Sequence, residues 1–233
     1  KPTQMLKHLV AIGSSKEGDI VLDFFAGSGS LAHSVFEVEV EDGLARRVIS
    51  VQLPEKTKRE DFETIADIGK ERIRKAGELV RKEHPDHKCD LGFKFFKLDS
   101  SNIKAWTPNR ADIESSLIDH DEHLVDGRSE EDVLYELLLK RGVDLAAPIE
   151  QKDILGKSIY CVGYGVLFVC LDEKVLRDQV DQVAEGITNW HKELAPASDT
   201  QVVFRDSAFE DDVAKTNMTA ILKQNGIAHV RSL

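Results

Sequence analysis

Apolar positions recur at helical spacing from the start of the chain. Met5, Leu6, Leu9, Val10 and Ile12 share one side of a helix that Gly13-Ser14-Ser15 ends, and Pro2 suits its first turn. Ile20-Val21-Leu22 then leads into Asp23 as a short buried strand. A Gly-Ser-Gly turn follows, and Leu31, Ala32, Val35 and Phe36 restart the helical period. After the acidic turn Glu41-Asp42-Gly43, Val48 to Leu53 reads as a second strand. A charged helix from about Thr64 to Glu83 carries Ile65, Ile68, Ile73, Leu79 and Val80 along one side. Phe93 to Leu98 reads as a third strand. Strands alternating with helices predict parallel pairing with right-handed crossovers, an arrangement that sets ligands at the carboxyl ends of the strands.

From Asp99 the pattern changes. Ser100 to Pro108 is polar and turn-rich, and Asp112 to Glu136 is dense in acids, which places a domain boundary between residues 105 and 106. The second part predicts a helix from Glu130 to Arg141 capped by Ser129 and Asp132, then a hairpin around Gly163-Tyr164-Gly165. A polar helix from Glu173 to Leu194, a strand at Val202-Val203-Phe204 and a last helix from Asp211 to Asn225 complete it. Residues 106–233 therefore read as a small α/β domain.

Composition narrows the function classes. With 233 residues, 41% hydrophobic and 31% charged, the chain can bury a core without disulfides or structural metal. Lys and Arg number 31 against 42 Asp and Glu, a net charge of −11, so the surface as a whole repels a nucleic-acid backbone. Cys89, Cys161 and Cys170 stand at unrelated spacings, which fits a reducing cytoplasm. The longest apolar run, Ile159 to Leu171, contains Gly163 and Gly165 and is too short to cross a bilayer. No membrane partner is expected. The chain opens at Lys1-Pro2 in what reads as a helix, without an initiator Met, and this predicts a piece of a longer protein.

The candidate chemistry lies in Asp23-Phe24-Phe25-Ala26-Gly27-Ser28-Gly29-Ser30, which ends a strand and opens a helix. Its glycines allow close backbone approach, and the helix start presents unpaired N–H groups. Gly27-x-Gly29-x-x-Ala32 also satisfies a dinucleotide-binding pattern, but a fixed carboxylate four residues before the first glycine opposes a pyrophosphate. S-adenosylmethionine carries an ammonium and a sulfonium instead, so Asp23 attracts part of that ligand while helix N–H groups meet its carboxylate. Gln52, at the end of the second strand, takes the place where such folds set an acid on the ribose hydroxyls. Asp99, ending the third strand, can accept from an adenine amino group. The bland alternatives are a tight turn that needs glycine for backbone reasons alone, and an acid that caps a strand end.

Other constellations are weaker. Asp172-Glu173-Lys174 after an apolar strand, with Asp153 upstream, has the form of a metal-dependent nuclease site, but charged triplets are common in such a chain. His84, His87 and Cys89, and separately His120 and His123, lack a matching second pair for zinc and read as polar turns. Lys70, Arg72, Arg74, Lys75, Arg81 and Lys82 alternate with Glu71, Glu78 and Glu83, the pattern of a solvated helix with local ion pairs.

Lys1-Pro2-Thr3-Gln4-Met5-Leu6 followed by Leu22-Asp23-Phe24-Phe25-Ala26-Gly27-Ser28-Gly29 resembles the N6-adenine or N4-cytosine DNA methyltransferases whose cofactor motifs follow the catalytic ones. More narrowly, the chain resembles the modification subunit of type III restriction-modification systems. Val51-Gln52-Leu53-Pro54-Glu55, Ile65 to Ile73, Phe96 to Asn102, Leu134 to Lys140, Asp206 to Phe209 and Thr216-Asn217 carry that likeness along nearly the whole chain. The resemblance implies an incomplete Rossmann-like methyltransferase half, three parallel strands with helices, followed by a small α/β C-terminal domain. It implies S-adenosylmethionine as cofactor, with Lys1 and Pro2 at its methionine end and Asp23 to Ser30 beneath it. It also implies methyl transfer to adenine N6 in DNA, DNA contact through an upstream domain, a homodimer and contact with a restriction subunit. The family's Asp-Pro-Pro-Tyr motif is absent, since no Pro-Pro pair occurs, so no catalytic residue is expected in this chain. The competing reading is a non-catalytic assembly module with a vestigial cofactor loop.

Overall fold

A computed structural model describes residues 2–104 and 124–233; Lys1, His120, His123 and the expected boundary at 105/106 lie outside them. The chain divides into two compact units, residues 1–97 and 98–233.

The first unit contains α1 (Thr3–Gly13), β1 (Ile20–Asp23), α2 (Ser30–Asp42), β2 (Arg47–Ser50) and α3 (Ile65–Glu83). β1 and β2 pair in parallel, with Val21 opposite Val48 and Asp23 opposite Ser50. Strand alternation sends Val21 and Val48 toward Val10, Val35 and Val38 of α1 and α2. The alternate residues Ile20, Leu22 and Ile49 face the other way and stay 46–60% exposed. α3 packs on α2 through Phe36, Ala76 and Val80, with Leu91 closing the cluster. Its start is fixed by a capping box, Thr64 and Asp67 each bonding the other's backbone N–H. On its outer face Arg74 pairs with Glu71 and Glu78, and Lys75 with Glu71, the local ion pairs expected there.

The helix ends of this unit are tied by one buried guanidinium. Arg46 donates to the Ser14 carbonyl from Nε at 2.9 Å and Nη2 at 2.8 Å, and grips Asp42 with Nη1 at 3.0 Å and Nη2 at 2.6 Å.

The expected third strand is corrected. Phe93 to Leu98 forms no ladder with β1, β2 or any other described strand. A strand exists through its partner, and local alternation cannot supply one. Phe95 instead stacks under the Lys70 ammonium of α3, 4.6 Å from the ring centre. The parallel part of the first unit is two strands.

The second unit runs α4 (Glu130–Arg141), β3 (Ile149–Ile154), β4 (Lys157–Val162), β5 (Leu167–Cys170), α5 (Val180–Leu194), β6 (Gln201–Phe204), α6 (Asp212–Gln224) and β7 (His229–Ser232). The sheet order is β3-β4-β5-β6-β7, antiparallel over the first three strands and parallel over the last three. α5 and α6 cover one face, around Phe168, Ile187, Met218 and Leu222, and α4 covers the other with Leu134 and Leu138. The helix expected from Glu173 begins at Val180, after a 3-10 turn at Arg177–Gln179, because Val175 bridges to Phe209 and keeps its own backbone out of the helix. Cys161 and Cys170 are buried free thiols, pushed up to about 11 and about 12 by desolvation. Among the described residues no helix is long and apolar enough to cross a membrane.

Candidate functional site

β1 delivers Asp23 at its carboxyl end, and the two strands keep hold of each other beyond it. Val51 N–H donates to the Asp23 carbonyl at 2.8 Å, and Ala26 N–H donates to the Val51 carbonyl at 3.1 Å. The Asp23 carboxylate turns the chain out of the strand by accepting from Phe25 N–H at 3.2 Å through Oδ1. Gly27 and Gly29 then adopt φ of 57° and 71°, left-handed backbone that a side chain would strain. Gly29 is the residue before α2, so the loop ends on the positive end of that helix. Phe24 and Phe25 beside it are 64% and 82% exposed.

Groups from outside the loop fix its shape. Gln52, expected at a ribose hydroxyl, has its Oε1 on Gly27 N–H at 2.7 Å, while its Nε2 donates to the Leu53 carbonyl at 3.2 Å. α3 presses from behind: a Cβ on Gly69 would stand 3.0 Å from the Gly27 carbonyl oxygen, and one on Gly29 would meet Ile73 at 3.0 Å. Arg72, one turn after Gly69, donates from Nη1 to Ser28 Oγ at 3.2 Å and to Ser30 Oγ at 3.0 Å. The start of α1 lies beside the first turn of α2, where Ser34 Oγ donates to the Ser30 carbonyl at 2.9 Å and reaches the Thr3 carbonyl at 3.4 Å. Pro2 is the residue just before that contact.

The structure thus gathers Asp23 to Ser30, Gln52 and the Pro2 end of α1 in the first unit. Asp99 falls in the second unit. There Arg128 Nη1 donates to Asp99 Oδ2 at 3.0 Å and Ser100 N–H to Oδ1 at 2.7 Å, and the Arg128 guanidinium holds the carboxyl down at about 2.

The nuclease-like acids are spent on local structure. Asp153 accepts from Gly156 N–H at 2.9 Å and Asp172 from Ser158 N–H at 2.7 Å. Among the described residues no group of three His, Cys, Asp or Glu is placed to hold a metal ion. His84 caps the end of α3, and His87 Nδ1 accepts from Cys89 N–H at 3.2 Å, the polar turn expected.

Sequence reasoning missed Gly69 and Arg72. An isolated glycine inside a helical pattern signals a close approach, so Gly69 was open to notice. Arg72 looks like its charged neighbours, and nothing local separates it from them.

The arrangement offers a carboxylate for a cation, two hydroxyls under a guanidinium, and backbone bare enough for close contact. Residues 1–59, which contain the loop and Gln52, match the DNA methylase family. The EcoP15I Mod subunit of a type III restriction-modification enzyme, from Escherichia coli, is 31% identical over 224 residues, covering 90% of this chain and 31% of that protein. This chain is related in sequence to type III Mod subunits. The EcoPI Mod subunit of Escherichia phage P1 is 32% identical over 177 residues, 70% of this chain and 26% of that protein. The StyLTI Mod subunit of Salmonella typhimurium is 37% identical over 103 residues, 42% of this chain and 16% of that protein. The chain therefore spans less than a third of the length of each of these relatives. Its α/β architecture is methyltransferase-like, in keeping with the family match at residues 1–59.

Proposed function

We propose that residues 1–97 are the cofactor-binding half of a DNA methyltransferase of the type III Mod kind, which transfers a methyl group from S-adenosylmethionine to adenine N6. One observation carries this reading: an acid-ended parallel strand, a double-glycine turn and a helix start, all inside the segment matched to the DNA methylases. The groups present fit the donor. Asp23 offers its second carboxylate oxygen to the ammonium, Ser28 and Ser30 offer hydroxyls, and Gly27 leaves room above the backbone. When bound, S-adenosylmethionine supplies an electrophilic methyl group on its sulfonium. This chain's own part is to bind and orient: Asp23 fixes the amino-acid end, Gln52 fixes the loop through Gly27, and Pro2 closes the methionine side.

The uncovered sheet face supports the same reading. Among the described residues Ile20, Leu22 and Ile49 leave one side of β1 and β2 without a packing layer, and the stretch matched to the EcoP15I Mod subunit is only 31% of that protein. The catalytic Asp-Pro-Pro-Tyr motif and the DNA-reading part are assigned to sequence outside this chain, so the chain alone is expected not to methylate DNA. The second unit is assigned to self-association and to contact with the restriction subunit, and the protein to the cytoplasm with its DNA.

Isothermal titration of this chain with S-adenosylmethionine tests the proposal. Saturable binding is expected, with a loss of about tenfold or more in affinity on Asp23→Ala, since a bond to a charged group contributes roughly 1.5–3 kcal/mol. No binding by the wild-type chain, or equal binding by the variant, rejects the donor site. Labelled methyl transfer into DNA by this chain alone would reject the division of labour.

A further inference from the structure

Two cations close to Arg72 on α3 are answered by acids. Arg74 and Lys75 pair with Glu71, and Arg74 also with Glu78. Arg72 turns to the glycine loop instead, and among the described residues no carboxylate pairs with it. Its Nη1 carries two hydrogens, one for Ser28 Oγ at 3.2 Å and one for Ser30 Oγ at 3.0 Å. A hydroxyl that accepts from a guanidinium keeps its own proton to give away. The contact therefore polarises both hydroxyls; their oxygens are 3.5 Å apart, a long hydrogen bond in which either can donate, and an anionic group placed before them takes both protons instead.

The electrostatics ask for such a group. Ser30 is 4% exposed and opens α2, so the guanidinium is fixed beside the positive end of a helix. Two positive potentials side by side without an anion repel, and a bound carboxylate relieves both. Asp23 sits at the other end of the same loop with one oxygen held by Phe25 N–H. The loop thus presents a negative group at its start and polarised donors at its end.

We infer that Arg72 is a further positioning residue of this loop: its guanidinium orients the Ser28 and Ser30 hydroxyls for the carboxylate at the amino-acid end of the methyl donor. This rests on the proposed donor site. Arg72 acts through the serines and is a positioning residue.

The test is isothermal titration of this chain with two ligands, S-adenosylmethionine and 5′-methylthioadenosine, which keeps the nucleoside and sulfur but lacks the amino-acid end. Arg72→Gln is expected to weaken S-adenosylmethionine binding about tenfold or more, as loss of charge-assisted bonds does. It should leave 5′-methylthioadenosine unchanged, and Arg72→Lys should restore part of the loss. Equal weakening for both ligands means that Arg72 only shapes the loop, and no weakening means that it is a bystander; either overturns the inference and spares the donor site. If the wild-type chain binds neither ligand, the donor site itself fails and this inference with it. Circular dichroism checks folding, and Arg72→Lys carries the comparison if Arg72→Gln does not fold.

Discussion

At the scale of single residues, the two glycines that bracket α2 separate backbone strain from packing. Gly29 and Gly43 have nearly the same left-handed φ, 71° and 74°. A Cβ on Gly43 would meet nothing within 4 Å, whereas one on Gly29 would meet Ile73 at 3.0 Å and the Gly69 carbonyl at 3.1 Å. Gly43→Ala is therefore expected to cost only the left-handed penalty, about 1–2 kcal/mol. Gly29→Ala adds overpacking against α3 and should lose roughly 2–4 kcal/mol in all. Urea denaturation of both variants measures the difference, and equal losses would show that α3 does not press on the loop. The same contrast marks what a sequence can disclose about a site. Asp23, Gly27 and Gly29 are legible because the turn they form is made by adjacent residues. Arg46 and Arg72 are not, because their partners Ser14, Ser28 and Ser30 lie more than thirty residues away and an arginine carries no sign of which group it will meet.

At the scale of elements, helices with local caps emerged where expected. Ser129 and Asp132 form a capping box on α4, and Asp211 accepts from Ala214 N–H at 2.7 Å to start α6. β3 was not anticipated, since Glu150, Gln151, Lys152 and Asp153 break the apolar pattern of an edge strand that only its pairing with β4 defines. Phe93 to Leu98 is the converse, apolar enough for a strand but without a ladder. The residues after it make polar contacts with α4 and with Arg128 just before it. Arg128 holds Asp99 and donates to Ser100 Oγ at 2.9 Å, Ser101 and Asn102 N–H bond Glu136, and Asn102 Nδ2 donates to the Asp132 carbonyl at 3.0 Å. The Asp99 carboxyl, at about 2 rather than its usual 3.8, has its native value depressed. Its contribution is therefore complete above the usual value and is lost as pH falls through about 2. Leu98, 98% exposed, gives pepsin a site next to this clasp. Cleavage there should accelerate as pH falls from about 4 to about 2. The rate relative to Asp99→Asn, which lacks the charge throughout, is the readout. A ratio that does not change with pH would remove Asp99 as the titrating group.

At the scale of the whole molecule, the two units differ in how completely their sheets are covered, and this governs the order in which they come apart. The second unit buries both faces of its five-stranded sheet, with Phe168, Ile159, Val162 and Val203 all fully buried. The first unit buries one face of a two-stranded sheet and leaves Ile20, Leu22 and Ile49 in water, alongside Met5, Leu9 and Ile12 on the outer side of α1 at 52–68% exposure. Burial of apolar surface is the main favourable contribution to folding, at about 25 cal/mol per Å². The unit with the bare face therefore has less of it per ordered residue. The chain is expected to unfold in two steps, the first unit at the lower urea concentration. Native-state hydrogen exchange should then show the amides of β1 and β2 losing protection while those of β5 and β6 are still closed. Loss of both sets at one urea concentration would mean that the units do not fold separately. Detergent micelles or a second polypeptide that covers Ile20, Leu22 and Ile49 should raise the first transition and leave the second in place, because anything that binds only the folded form of one unit stabilises that unit.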